Sequence, residues 1–127
     1  MVRKANCCCG STSIEVVGEP ALNAICHCGN CRQRTGSAFG WQAYFSDDQI
    51  LNRQGSLSQY LIRDEQVRSF CSKCGTTLYW TSSFIPQHVG IAAGAFVDDP
   101  IVAPVMEATC DSRLEWLSFR DSLTRIS

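Results

Sequence analysis

The chain has 127 residues, enough for one domain that buries roughly two-thirds of its unfolded surface. A formal net charge of −1 offers no basic footprint for nucleic acid, and no apolar run approaches the ~18 residues of a membrane helix. Nine cysteines, an odd number, fit poorly with complete disulfide pairing and, in a reducing compartment, point to metal.

In chain order, Met1-Val2-Arg3-Lys4-Ala5-Asn6 carries basic residues with no apolar stretch behind them. No export signal is expected there, and the expected compartment is the cytoplasm. Gly and Pro then interrupt polar and β-branched runs at short intervals, which predicts short strands over long helices. Ser11–Val17 reads as a strand closed by Gly18-Glu19-Pro20, and Leu22–Cys26 as a second that runs into a cysteine-rich turn. Gly36–Phe45, with Phe39, Trp41 and Tyr44, reads as a buried strand. Asp47-Asp48 opens a turn before a short strand over Gln49–Arg53, and Gly55-Ser56 turns the chain into Leu57–Ile62. Arg63-Asp64-Glu65-Gln66 is an expected hairpin tip before Val67–Phe70. Thr76–Trp80 is the next strand, Ser82–Gln87 a loop, and His88–Ala93 an apolar strand stopped by Gly94 and Asp98-Asp99-Pro100. In the tail, Asp111 or Ser112 can cap a helix over Arg113–Phe119 with Leu114 and Leu117 inward, although Trp116 and Phe119 suit a strand as well. The resulting fold class is all-β (β-rich), in a single domain over residues 1–127.

Most of the cysteines fall in three clusters. Cys26-His27-Cys28-Gly29-Asn30-Cys31 is C-x-C-x-x-C, a spacing that lets three thiolates converge on one cation from a single turn. Cys7-Cys8-Cys9-Gly10 and Cys71-Ser72-Lys73-Cys74-Gly75 are half-sites, each followed by glycine. In the second, the amides that follow can point at thiolate sulfur. Two such half-sites make one closed Cys₄ zinc site, and joining the start of the chain to its middle suits a structural role. The register in Cys7-Cys8-Cys9 is open, but Gly10 favours Cys7 and Cys9, with Cys8 turned the other way.

Cys26, Cys28 and Cys31 are then left without an obvious fourth ligand. Cys8 and Cys110 are candidates. So is His27, but it lies between two ligands and its side chain should point away from their metal. His88 reads as a core histidine with one hydrogen bond. Structural zinc is usually closed by four protein ligands, whereas catalytic zinc keeps a position open. Cys26, Cys28 and Cys31 are therefore the candidate catalytic zinc site, beside a structural zinc at Cys7, Cys9, Cys71 and Cys74. A thiol entering the open position would give up its proton. A redox pair of Cys28 and Cys31 is the competing reading, though no βαβ pattern surrounds it. With Zn²⁺ at both sites, two per chain, the net charge falls to about −4, which disfavours polyanions further.

The order and spacing of Cys7-x-Cys9-Gly10, Cys26-His27-Cys28-Gly29-Asn30-Cys31-Arg32, Gly36-Ser37-Ala38-Phe39 and Phe70-Cys71-Ser72-Lys73-Cys74-Gly75-Thr76 resemble the glutathione-dependent formaldehyde-activating enzyme (GFA-like) family. Gly94-Ala95-Phe96-Val97-Asp98-Asp99-Pro100 is similar to that family's Gly-x-Leu-Asp-Asp-Pro-like segment, with one residue more. The resemblance covers Cys7 to about Pro100. It implies an Mss4-like β-tent of mostly antiparallel strands organised around zinc, and the same two ligand sets. It also implies a carbon–sulfur lyase activity that joins formaldehyde and glutathione into S-hydroxymethylglutathione. Glutathione is then the expected small-molecule partner, with Arg32, Arg34 and Lys73 as candidate partners for its carboxylates. Asp98 and Asp99 read as a simple turn before Pro100. One departure is in the tail, where the family often shows Pro-x-x-His and this chain has Pro104-Val105-Met106-Glu107. If that position belongs to the site, Glu107 changes its charge and proton chemistry. A non-catalytic, zinc-stabilised thiol carrier or protein-interaction module is the alternative function. A fourth ligand from Cys8, Cys110 or His27 would favour it.

Overall fold

The computed structural model describes every residue except Asp64 and Asp121. Strands dominate. They are β1 (Val2–Asn6), β2 (Ser13–Val17), β3 (Leu22–Cys26), β4 (Gly40–Ser46), β5 (Ile50–Gln54), β6 (Leu57–Ile62), β7 (Gln66–Cys71), β8 (Thr77–Ser82), β9 (Ile85–Ala92), β10 (Met106–Ala108) and β11 (Thr124–Arg125). A single α-helix among the described residues, α1 (Gly29–Thr35), follows β3. The strands form a three-stranded sheet in the order β1-β2-β5 and an eight-stranded sheet in the order β11-β10-β3-β4-β9-β8-β7-β6. Most neighbours are antiparallel, but β10 runs parallel to both β3 and β11. The mostly antiparallel expectation thus has a parallel exception at one end of the large sheet.

Strand alternation divides the large sheet into two chemically different faces. Ala43 and Phe45 of β4 pair with Ile91 and Val89 of β9 and turn inward. There they meet Ala5, Ile14 and Val16 from the small sheet, with Leu78 and Phe96, in one buried core. The Phe45 and Phe96 ring centroids lie 6.0 Å apart. The alternate residues face the other way. Tyr44 registers with Gly90, Gly90 with Trp80, and Trp80 with Arg68, so one row crosses β4, β9, β8 and β7. Cys26 stands opposite Gly40 on that same face. The core face holds the sheets together, and the second face carries the candidate site.

Three sequence expectations are corrected. Gly36 does not begin a strand: it ends α1 at φ 64°, and β4 starts at Gly40. The helix exists because both ends are capped locally. The Cys28 sulfur accepts from the Cys31 N–H, and the Gly36 N–H reaches the Arg32 carbonyl. Ser82–Gln87 is not an open loop, since β8 and β9 are joined by a turn at Ser83 and Phe84 in which the Phe84 N–H donates to Ser82 Oγ at 3.2 Å. Arg113–Phe119 is not helical. Cys110–Ser112 makes a short 3-10 turn, and Trp116 stays 70% exposed. A helix of that length needs an apolar face to pack; here Arg113 instead reaches back towards Glu107. At the expected tip Arg63–Gln66, the Glu65 N–H closes a turn onto the Ile62 carbonyl, and Asp64 lies outside the described residues.

Candidate metal centres

Cys7 and Cys9 sit in the turn between β1 and β2, Cys71 ends β7, and Cys74 lies in the turn between β7 and β8. Gly10 and Gly75 close these turns at φ 79° and 80°, a backbone region that glycine enters without strain. The two turns meet, and the four sulfurs all lie within 4.8 Å of one another, a group that can hold a metal ion. Cys8 is turned away from it, and its N–H ties the turns together by donating to Thr76 Oγ1 at 3.1 Å. Backbone amides converge on the sulfurs as the half-site pattern predicts. The Thr12 N–H donates to Cys7 Sγ at 3.3 Å, and the Lys73 and Cys74 N–H groups to Cys71 Sγ at 3.4 and 3.5 Å. Burial pushes the Cys7 thiol up, but the Thr12 hydrogen bonds and the adjoining Cys9 and Cys71 sulfurs outweigh it and hold it at about 5. The Ser11 hydroxyl, with the Cys74 and Lys73 amides, lowers Cys71 to about 6.

The second group is built from consecutive elements. Cys26 ends β3, Cys28 caps α1, and Cys31 lies in its first turn. Their sulfurs also lie within 4.8 Å of one another and can hold a metal ion. The Cys31 thiol, against the effect of burial, and the Thr109 hydroxyl lower Cys26 to about 5, while its bond to Cys26 and its own burial push Cys31 up. Among the described residues this group has three members. None of the candidate fourth ligands joins it. Cys110 Sγ points to the Glu107 carbonyl at 3.7 Å. His27 is fully buried and turns from the sulfurs to Glu107, Nε2 to Oε1 2.9 Å. His88 is half-buried on β9, bonded through Nδ1 to the Pro86 carbonyl at 3.0 Å, so it is neither a ligand nor a core residue.

Glu107, whose membership of the site the sequence leaves conditional, stands apart from the three-cysteine group. In the parallel register of β10 on β3 it stands beside Ile25, not beside Cys26. It is therefore on the side of β3 away from the three sulfurs, where His27, Arg113 at 3.6 Å and Arg125 at 3.9 Å surround its carboxylate.

The three-cysteine group opens into a cavity of about 180 Å³ lined by Cys26, Cys31, Arg34, Gln42, Tyr44 and Trp80. Arg34 lies 4.2 Å over the Trp80 ring and donates to Gln42 Oε1 at 3.3 Å. Gln42 in turn sends its amide N–H to Cys31 Sγ at 3.6 Å. Gly40 makes this crowding possible: a Cβ there would stand 2.6 Å from Arg34 Nη2 and 3.0 Å from the Cys31 Cβ. Burial lowers the Arg34 guanidinium and raises the Tyr44 hydroxyl. Arg68 joins the site from β7, held by Asn30 and Gln66. Sequence reasoning missed it, since only the register of Arg68 with Trp80 carries it to this face. Of the basic residues singled out in sequence, Arg34 is at the cavity. Arg32 is half-buried and does not line it, and Lys73 is exposed beside the four-cysteine group. Arg34 also borders a second cleft of about 620 Å³, lined by Phe39, Trp41, Ala95 and Val97. Asp98 and Asp99 are exposed in a bend before Pro100, as a simple turn requires.

A family model described as glutathione-dependent formaldehyde-activating enzyme matches residues 2–112. A Schizosaccharomyces pombe protein named as an uncharacterized lyase is 30% identical over 79 residues, which are 61% of this chain. The match spans 56% of that protein's length, little more than half. A crystal structure of a Rhodobacter sphaeroides protein aligns at a TM-score of 0.60 and 20% identity, covering 98% of this chain and 99% of its own, a likeness of fold.

Proposed function

The chain belongs to the glutathione-dependent formaldehyde-activating enzyme family, and from that premise we propose that it is a zinc-dependent carbon–sulfur lyase. It makes or breaks the adduct between a small thiol, glutathione, and an aldehyde such as formaldehyde. The observation that carries this is the three-cysteine group, without a fourth protein ligand among the described residues and facing a cavity.

The donor sets fit zinc. Both are soft thiolate sets gathered within one ion's reach, and the amides and hydroxyls on Cys7, Cys26 and Cys71 favour the deprotonated ligand. Cys7, Cys9, Cys71 and Cys74 would hold a structural zinc that organises residues 1–127 as one domain. Cys26, Cys28 and Cys31 would hold the catalytic one. Zinc there supplies a deprotonated thiol at neutral pH in a fixed position.

The chain's own residues do the rest. Arg34 and Arg68 place two guanidinium groups beside the sulfurs, and no carboxylate among the described residues lies within 4.0 Å of either. They are the partners for the carboxylates of an acidic thiol. Gln42 holds Cys31 and Arg34 in fixed relation through its two amide ends. Trp80 gives Arg34 an apolar seat and limits water behind it.

Metal analysis with glutathione titration tests the reading. The expected result is two zinc ions per chain, one lost in Cys28→Ser together with glutathione binding, and exchange between formaldehyde and glutathione faster than the uncatalysed rate. Two zinc ions with no affinity at millimolar glutathione would sink it. Binding without turnover would assign a thiol carrier instead.

A further inference from the structure

We propose that Tyr44 is the hydrogen-bond donor to the carbonyl oxygen as the carbon–sulfur bond forms. This rests on the lyase reading above and names the group that stabilises the oxygen in that same cavity.

Trp80 sets the direction of the hydrogen bond at Tyr44. Its indole Nε1–H can only donate, and it lies 3.0 Å from the Tyr44 hydroxyl oxygen. Tyr44 is therefore the acceptor in that bond, and its own O–H hydrogen is directed elsewhere. No acceptor for that hydrogen is present among the described residues. The bond to Trp80 is buried, and Tyr44 as a whole residue is 8% exposed. The hydroxyl group belongs to a side chain that lines the cavity with Cys26 and Cys31. A buried donor without a protein acceptor, in a cavity beside the sulfurs, is built for a ligand oxygen.

Its position is fixed from behind. Tyr44, Gly90 and Trp80 form one row across three strands. Gly90 leaves room for both rings: a Cβ there would come within 2.3 Å of Trp80 Nε1 and 2.8 Å of Tyr44 Cε2. The rings meet edge to face at 82° with centroids 6.4 Å apart. Arg34, seated over the Trp80 ring, adds positive potential to the same cavity. Gln42, a polar side chain of the same cavity wall, already spends both amide ends on Cys31 and Arg34.

The step balances without an oxidant or reductant. The thiol releases one proton to solvent on entering the site. A sulfur lone pair forms the carbon–sulfur bond, and the carbonyl π pair moves onto oxygen, where the Tyr44 O–H meets the growing charge. Water then returns one proton to that oxygen. One thiol and one aldehyde give one hemithioacetal, and the reverse path breaks the same bond.

Tyr44→Phe in the metal-loaded protein is the test, with Trp80→Phe as its companion. The expected result for Tyr44→Phe is a kcat lowered about 10²–10³-fold, the range for loss of one oxyanion donor. Zinc per chain and the calorimetric Kd for glutathione stay unchanged. An equilibrium readout accompanies the rates. With ¹³C-formaldehyde, the fraction of bound glutathione carried as adduct, read by NMR, should fall several-fold. Trp80→Phe should show a smaller loss, and the double variant should be no worse than Tyr44→Phe alone, because phenylalanine keeps an aromatic seat for Arg34 and removes the N–H that positions Tyr44. Wild type that turns over beside an equally active Tyr44→Phe would overturn the Tyr44 proposal and leave the lyase reading standing. Loss of zinc or glutathione affinity in Tyr44→Phe would overturn it too, by showing a structural role. A wild type without thiol binding would bring down both.

Discussion

Cys28 and Glu107 stand for what single residues did and did not disclose. Cysteine spacing points to both groups that can hold a metal ion, because C-x-C and C-x-x-C turns gather thiols within one cation's reach. Whether Glu107 belongs to the site is not legible locally. Its side was decided by a three-residue parallel strand docking on β3. Glu107→Gln should accordingly leave zinc content and glutathione Kd unchanged while lowering stability by about 1–3 kcal/mol, since it weakens a buried bond to His27. Urea denaturation beside metal analysis checks this; a loss of thiol affinity at full stability would return Glu107 to the site. Gly40→Ala should reach the site. Its Cβ would displace the Arg34 guanidinium and press on Cys31, so glutathione affinity should fall several-fold, beside a stability loss of about 1–3 kcal/mol. Arg68 is illegible for the same reason as Glu107: register across β7 and β8, not spacing along the chain, brings it to the sheet face that carries the cavity.

At the scale of elements, β3 and β6 have the bounds the sequence suggests, because apolar runs there are cut off by strong turn residues or by the cysteines. Helix α1 was hidden. Its seven residues are too few for a periodic apolar face, and it depends on caps at Cys28 and Gly36. That dependence gives a usable contrast. Cys28→Ser removes a thiol but keeps a side-chain acceptor for the Cys31 N–H, so the helix should persist. Cys28→Ala removes both and should cost about 1 kcal/mol more in the metal-free protein, measured by urea unfolding. Equal stability of the two variants would show that the cap contributes nothing. In the core, Phe45→Ala should destabilise by about 3–5 kcal/mol, because Phe45 is fully buried against Phe96. The short strands β10 and β11 escaped the sequence because two- and three-residue pairings carry no pattern of their own.

For the whole molecule, the four-cysteine group links the end of β1 in the small sheet to the end of β7 in the large one. Cys9 and Cys71 are 62 positions apart in sequence yet 3.7 Å apart at sulfur. Metal bound there acts as a folding constraint, because an unfolded chain does not present the four ligands together. Chelation should therefore lower Tm, and Cys74→Ser should lower it more than Cys28→Ser; calorimetry with and without chelator measures both. Equal shifts would mean that the two groups do not divide structure from chemistry.

The small cavity at Tyr44 has a consequence for selectivity. At about 180 Å³ it is below the ~300 Å³ at which ligand pockets commonly begin. It has room for a thiol sulfur and a short carbonyl compound, while the body of a tripeptide must rest outside, past the guanidinium groups. Under the proposed function, the two substrates would be judged by different physics: the aldehyde by volume, inside the cavity, and the thiol by charge, at the guanidinium groups. Lengthening the aldehyde should meet a steep steric cutoff, whereas trimming the thiol's carboxylates should weaken binding gradually and in a salt-dependent way.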